Sequence, residues 1–96
     1  MNKQSLLICN YKVIYDIFYE LKDKVNFKIE CITHQEILEK KYDPIDLVIS
    51  KTNLNIENQI ILQELPVEIS KFIDYLNINF LRKKINFQKT LKLENT

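Results

Sequence analysis

Glycine is absent from this 96-residue chain, and so are alanine and tryptophan. Phosphate-binding loops need glycine where the backbone approaches the phosphate, so the absence excludes a glycine-rich nucleotide-binding loop. Tight turns with a positive φ must use asparagine or aspartate instead, because these two residues tolerate the left-handed conformation best after glycine.

Groups that bind metals or carry redox chemistry are scarce as well. The two cysteines, Cys9 and Cys31, form no C-x-x-C pair, which leaves zinc and thioredoxin-type chemistry without support. Both lie in apolar runs and are expected to be buried free thiols of a reduced compartment; the alternative is a disulfide between neighbouring strands. The single histidine, His34, is read as a polar residue at a helix start; the alternative is a catalytic base, for which no paired nucleophile is evident. We expect no metal and no other cofactor.

Charge and hydropathy restrict the partners further. Fourteen basic and 13 acidic residues give a net charge of +1, which argues against a general nucleic-acid binder. Basic residues near the C-terminus are read as a solvated helix end, with a phosphate-contacting patch as the alternative. No apolar run approaches the roughly 18 residues of a membrane span, and the first apolar run is too short for a signal peptide. We therefore expect a cytoplasmic protein with no membrane partner.

The hydrophobic period alternates between that of strands and that of helices along the chain. Alternation with short links is typical of a parallel sheet covered by helices. The length allows one domain, over residues 1–85, and residues 86–96 are read as an extended tail or linker. The predicted strands cover residues 5–10, 26–33, 47–49 and 58–63, and the predicted helices cover 11–25, 34–43 and 65–84.

Local signals mark several element ends. Asn10 is a plausible N-cap of the first helix. Thr33 followed by Glu36 fits a capping box at the start of the second helix, whose inward residues are taken to be Ile37 and Leu38. The second strand alternates apolar and charged residues, which indicates an edge of the sheet.

The link between the last two strands, residues 51–57, is unusually short. Parallel strands normally need a crossover of about a dozen residues or more. At roughly 3.3 Å per residue, an extended segment is just long enough to run back beside a short strand. The alternative is an antiparallel hairpin. We favour the parallel arrangement because of a resemblance to a known family.

That resemblance is to the receiver domain of bacterial response regulators. "SLLICN" and the helix after it resemble the first strand and helix of the family, and "DLVISKTNLN" resembles its "DLVILDxxLP" strand. "ILQELPVEISKFIDYLNINFLRKK" resembles the last strand, the "KP" turn and the last helix, and "INFQKTLKLENT" resembles the linker and opening strand of winged-helix regulators. The resemblance implies a three-layer α/β, flavodoxin-like domain with four mostly parallel strands in the order 2-1-3-4 and about three helices. The third helix, fourth strand and fourth helix of the family are missing.

The same resemblance implies that the phosphorylation chemistry of receivers is lost. Lys51 stands at the position of the phosphoaccepting aspartate, Asn10 and Tyr11 at the acidic pair that holds Mg²⁺, and Leu65 at the lysine before the proline. A lysine cannot carry an acyl phosphate, and Mg²⁺ needs carboxylates that these positions lack. Lys51 then has three interpretations: a solvated lysine, a cation that neutralises the former phosphate site, or part of a small-anion site.

Two sets of apolar residues are candidate contact surfaces. Tyr11, Tyr15 and Tyr19 recur every four residues along one flank of the first helix, where they either border the core or face a partner. The last helix carries a candidate dimer face off its inward stripe, as winged-helix regulators do, formed by Tyr75, Ile78 and Leu81.

The expected function is therefore a non-enzymatic, phosphorylation-independent, receiver-like regulatory module that acts by protein–protein contact. It would contact a protein partner or a second copy, and DNA only through a winged-helix domain absent from this chain, which would make the chain a regulator without its effector half. The alternative is a stand-alone adaptor that binds through the tyrosine flank. A third hypothesis is a small enzyme with a site around Asn10, Lys51 and Glu64.

Overall fold

The described part of the chain contains four strands and three helices, with a helix after each strand except the third. The computed structural model describes residues 4–66 and 68–94, and its side chains as far as residue 86. A short 3₁₀ turn, Lys22–Lys24, follows the first helix. The elements are β1 Ser5–Cys9, α1 Lys12–Glu20, β2 Lys28–Ile32, α2 His34–Leu38, β3 Leu47–Ser50, β4 Gln59–Ile61 and α3 Ile69–Glu94.

The strands form one sheet in the order β2-β1-β3-β4, and all three pairings are parallel. The predicted flavodoxin-like α/β fold, its strand order and the edge position of β2 are confirmed. The parallel pairing of β4 is confirmed as well, with Ile49 opposite Ile60, so the hairpin alternative is wrong. The two central strands are the most apolar and are buried along their whole length.

The sheet separates two hydrophobic cores, which gives the domain three layers. Helices α1 and α3 cover one face, where Phe18 and Leu76 are fully buried. Helix α2 covers the other face through Ile37. The first core consists of Leu6, Ile8, Ile14, Phe18, Val25, Phe27, Leu47, Ile49, Leu76 and Phe80. The second core consists of Leu7, Cys9, Ile32, Ile37 and Val48.

The link from β3 to β4, residues 51–58, crosses the sheet without a helix. Its apolar residues Leu54 and Ile56 pack against the second core, on the face that α2 covers. The chain moves in the same direction across the sheet from β2 to β3 and from β3 to β4, so both links have the same hand only if they cross the same face. The link therefore keeps the crossover rule of parallel sheets with an extended segment in place of a helix.

Turn chemistry differs from the expectation at two positions. Asn10 is not the N-cap of α1; it adopts a positive φ of 51°, and Tyr11 takes the cap position without a side-chain hydrogen bond. Lys40 also has a positive φ, 56°, although it is neither asparagine nor aspartate. It follows α2 in a Schellman motif, in which the Lys41 N–H donates to the Glu36 carbonyl at 2.9 Å. The chain has no glycine for this place.

Three other expectations are corrected. Leu38 is 67% exposed, because α2 ends there after five residues and only Ile37 reaches the core. Cys31 is exposed rather than buried, since it lies on the edge strand beyond the cover of α1. Residues 86–94 belong to α3, which runs to Glu94, so the extended tail is wrong over that range; residues 95–96 lie outside the described part of the chain. The capping box of Thr33 and Glu36 is confirmed.

Candidate functional site

The centre of the sheet contains the point where the strand order reverses. From β1 the chain moves outward to β2, and it then returns past β1 to β3 and β4. In open parallel sheets, ligands bind in the crevice at this point, outside the carboxyl ends of the two strands. Asn10 follows β1 and Lys51 follows β3, so the sequence order brings these two residues to the same crevice.

A hollow of about 240 Å³ occupies this crevice, and we call it the switch-point hollow. Lys51 is exposed, with its Nζ 5.6 Å from the centroid of the Tyr11 ring, a distance at which a cation is attracted to the aromatic face. The positive φ of Asn10 turns the chain away from β1 into α1 beside it. The hollow is lined by Cys9, Asn10, His34, Ser50, Lys51, Thr52 and Leu54.

The lining of the hollow contains one lysine and one histidine but no aspartate or glutamate. Within residues 4–66 and 68–94, no cluster of three or more histidine, cysteine, aspartate or glutamate side chains is arranged to hold a metal ion. Burial raises the pKa of the Cys9 thiol, which keeps this neighbour of Lys51 protonated and poorly nucleophilic. The hollow therefore has a cationic rim and a neutral floor.

Ser50 forms the floor of the hollow. Gln59 does not line the hollow but hydrogen-bonds to Ser50. Neither residue was predicted from the sequence. The Ser50 hydroxyl is buried and donates to the Thr52 carbonyl at 2.6 Å. The amide nitrogen of Gln59 donates to Ser50 Oγ and to the Thr52 carbonyl. These bonds occupy Ser50, so its hydroxyl holds the loop. The only signal in the sequence is a serine and a glutamine at two strand ends, which is too common to select them.

The structure brings together some of the predicted positions and separates one. Asn10 and Lys51 line the switch-point hollow, and Tyr11 lies beside Lys51. His34 also lines it, at the start of α2. Leu65, predicted at the position of the family's lysine, is 48% exposed in the segment before α3 and is not part of the lining.

A second, larger hollow of about 560 Å³ lies between α1, the end of β2 and the start of α2. Tyr11 and Tyr15 form one wall, and the exposed thiol of Cys31 lies in the lining. Tyr11 and Tyr15 are partly buried against the first core, whereas Tyr19 is 46% exposed and stacks on Tyr15 with a centroid distance of 5.6 Å. The first two tyrosines thus border the core, and only Tyr19 projects from the flank.

Helix α3 carries an exposed apolar surface opposite its buried side. Tyr75, Ile78, Leu81 and Ile85, at spacings of three, three and four residues, are between 41% and 57% exposed. We call these four residues the α3 stripe. The buried residues Leu76 and Phe80 lie on the other side of the helix. The stripe contains all three residues predicted as a dimer face.

The amino-terminal ends of the central strands hold a buried carboxylate with a structural role, that of Asp46. Asp46 Oδ1 accepts from the Ser5 N–H at 2.8 Å, and Oδ2 accepts from the Asp43 N–H at 3.1 Å. Burial raises the pKa of Asp46, and these two hydrogen bonds partly offset the rise. The Asn58 amide nitrogen donates to the Asp46 carbonyl at 2.8 Å and ties the start of β4 to the start of β3.

Comparison of the chain with protein-family models, with curated proteins and with solved structures gave no match. Across the described residues, no helix combines the length and the apolar character that crossing a membrane requires.

Proposed function

We propose that the protein is a non-enzymatic, receiver-like regulatory module that acts by protein–protein contact independently of phosphorylation. The observation that carries the proposal is Lys51 at the end of β3, in a hollow lined by no carboxylate. A phosphoaccepting site of the receiver type needs an aspartate at this strand end and acidic neighbours for Mg²⁺. With Lys51, Asn10 and Tyr11 in these places, a regulatory signal has to come from contact rather than from phosphoryl transfer.

The α3 stripe supports contact as the mode of action. Its four exposed apolar residues are contiguous along one helix face, and such faces mark interaction sites more often than scattered apolar residues do. We assign the stripe to a homodimer contact. A link to transcription would require a winged-helix domain on the same polypeptide or on a partner. The two free cysteines fit a cytoplasmic location, where thiols stay reduced.

Two measurements test the proposal. Incubation with acetyl phosphate and Mg²⁺, followed by intact-mass spectrometry, should give no phosphorylated species, and a phosphoryl adduct would contradict phosphorylation independence.

Sedimentation velocity should reveal a dimer that weakens in Leu81→Glu, because the new carboxylate would have to be desolvated in the contact. Gln63→Glu, an exposed change of the same charge outside α3, should leave the dimer intact.

The second candidate function is a stand-alone adaptor that binds through the tyrosine flank. The exposed ring of Tyr19, already ordered by stacking on Tyr15, favours it because a preordered aromatic loses little entropy on binding. The sedimentation experiment separates the two candidates. A chain that stays monomeric, and does not respond to Leu81→Glu, would favour the adaptor.

A further inference from the structure

The outer edge of β2 has free backbone groups in a defined pattern. The Lys28 N–H donates to the Gln4 carbonyl at 2.9 Å, so residue 28 points its backbone groups toward β1. In a strand these groups alternate in direction, so Glu30 also faces β1, while the N–H and C=O of Ile29 and Cys31 face outward. No strand covers this side of β2 among the described residues.

The side chains of β2 alternate in charge around Ile29. Lys28 and Glu30 are exposed on the face of the sheet that α2 covers, since Glu30 lies opposite Leu7 of the second core. Neither takes part in the three salt bridges found among the described residues. A single edge lysine would oppose strand pairing. A Lys–Ile–Glu segment differs from a single lysine. When two copies of it pair antiparallel, the lysine of each copy lies opposite the glutamate of the other.

We propose that β2 pairs antiparallel with β2 of a second copy, with Ile29 on the twofold axis. This pairing goes beyond the α3 stripe and uses a different surface. The two Ile29 residues would exchange both backbone hydrogen bonds, as their outward N–H and C=O allow. Lys28 of each copy would then lie directly opposite Glu30 of the other, in the closer, non-hydrogen-bonded type of pair.

Two features select this register together: the alternating direction of the backbone N–H and C=O groups, and the charges of the side chains. A pairing centred on Glu30 would bring the two Glu30 carboxylates face to face, and one centred on Lys28 would do the same with the two ammonium groups; like charges directly opposite each other destabilise a sheet. Among these three registers, only the one centred on Ile29 gives two opposite-charge pairs. The pairing joins two four-stranded sheets into one of eight strands. The contact is short, so the association should be weak and best observed at high protein concentration.

The charge pairs are tested by reversal and rescue, in a Leu81→Glu background that removes the α3 stripe from the measurement. By sedimentation, Glu30→Lys should weaken self-association about tenfold or more, because two attractive pairs become repulsive. Adding Lys28→Glu to Glu30→Lys should restore it, because the pairs become attractive again. Glu20→Lys, an exposed change of the same charge on α1, should have no effect. Thermal melts monitored by circular dichroism verify that each variant folds.

Cross-linking tests the register without relying on charge. Ile29→Cys, combined with Cys31→Ser, should form a covalent dimer under mild oxidation, because hydrogen-bonded partners in antiparallel strands lie at about 5.5 Å between Cα atoms, within disulfide range. The wild-type chain should not cross-link, since Cys31 would lie opposite residue 27 of the copy and Cys9 is buried.

Several results would overturn the proposal: a monomer at every concentration in the Leu81→Glu background, no response to Glu30→Lys, or efficient cross-linking through Cys31 in place of position 29. Capture of an extended segment of a different protein by this edge, without self-association, would equally exclude the second copy as its occupant. A different result would contradict the proposed contact through the α3 stripe: Leu81→Glu in the otherwise wild-type chain would have no effect on self-association.

Discussion

The Leu54 N–H donates to the side-chain oxygen of Gln59 at 2.8 Å, so the first residue of β4 fixes the loop that leads into it. The amide nitrogen of Gln59 reaches the Thr52 carbonyl on the other side of the loop. One side chain thus satisfies a backbone donor and a backbone acceptor in a segment that has no secondary structure of its own. This bridging is how residues 51–58 cross the sheet without a helix.

We expect Gln59→Leu to destabilise the domain by about 1–2 kcal/mol, because the Leu54 N–H would lose its partner and the Thr52 carbonyl one of its two donors, while side-chain volume is kept. Urea unfolding monitored by circular dichroism measures the free energy of unfolding. Gln63→Leu, an exposed change just beyond β4, should stay within about 0.5 kcal/mol of wild type. Equal effects of the two substitutions would show that the bridge contributes nothing.

The strands and helices that contribute apolar residues to the core could be predicted from the sequence. Features that depend on the hydrogen bonds or backbone angles of single residues could not. The buried runs at Leu6–Ile8 and Leu47–Ile49 and the helical spacing of Ile14 and Phe18 determine the sheet and its first helix, because apolar burial dominates the stability of the fold. The alternation of charge in β2 correctly indicated an edge.

The floor of the switch-point hollow was missed because it depends on hydrogen bonds between residues that no pattern connects. Ser50 and Gln59 meet only after β3 and β4 have paired. The positive φ of Lys40 was missed for a related reason. A glycine normally indicates a left-handed residue at the end of a helix, and this chain has no glycine. Leu38 was assigned inward by its spacing, but α2 ends before the next turn could bury it.

Lys40 offers a stabilising substitution. Lys40→Gly should raise the free energy of unfolding by about 0.5–1 kcal/mol, because glycine adopts the positive φ after α2 without the steric cost of a Cβ atom. Chemical denaturation measures the gain. Lys41→Gly, at a neighbour without a positive φ, should instead lower stability, since it adds freedom to the unfolded chain and removes the ion pair between Lys41 and Glu39. A loss at both positions would contradict the assigned strain.

Asp46 should give the unfolding free energy a specific pH dependence. Its pKa is raised in the folded state, chiefly by burial and further by the nearby charges of Asp43 and Glu30, so the folded chain holds this proton more tightly than the unfolded chain. The resulting contribution is fully present below about pH 4, the pKa of an unfolded aspartate, and is lost as the pH rises through the folded pKa.

The test compares wild type with Asp46→Asn by urea unfolding over a pH series from about 3 to about 7, which starts below the ordinary pKa of an aspartate and extends above it. Asparagine does not titrate. Its amide nitrogen cannot accept the hydrogen bond of the Asp43 N–H, so the substitution changes the unfolding free energy by an amount that does not depend on pH. The difference in unfolding free energy, wild type minus variant, should fall as the pH rises above about 4. A difference that rises with pH would mean that the two backbone hydrogen bonds outweigh burial and lower the pKa.

The switch-point hollow should gain a Mg²⁺ site when carboxylates are introduced into it. Asn10 and Lys51 line the same hollow from the ends of adjacent strands, and Mg²⁺ binds through one or two carboxylates with several retained waters. Asn10→Asp combined with Lys51→Asp should therefore raise the melting temperature in Mg²⁺ by about 6–11 °C, equivalent to about 1.4 kcal/mol when Mg²⁺ is at roughly tenfold its Kd. Aspartate tolerates the positive φ of residue 10 as asparagine does.

Lys51→Asp alone is the matched control and should respond much less, because one carboxylate binds Mg²⁺ weakly. If the double variant responds no more than the single one, the two side chains do not converge, and the comparison of this hollow with a receiver's acidic pocket is wrong.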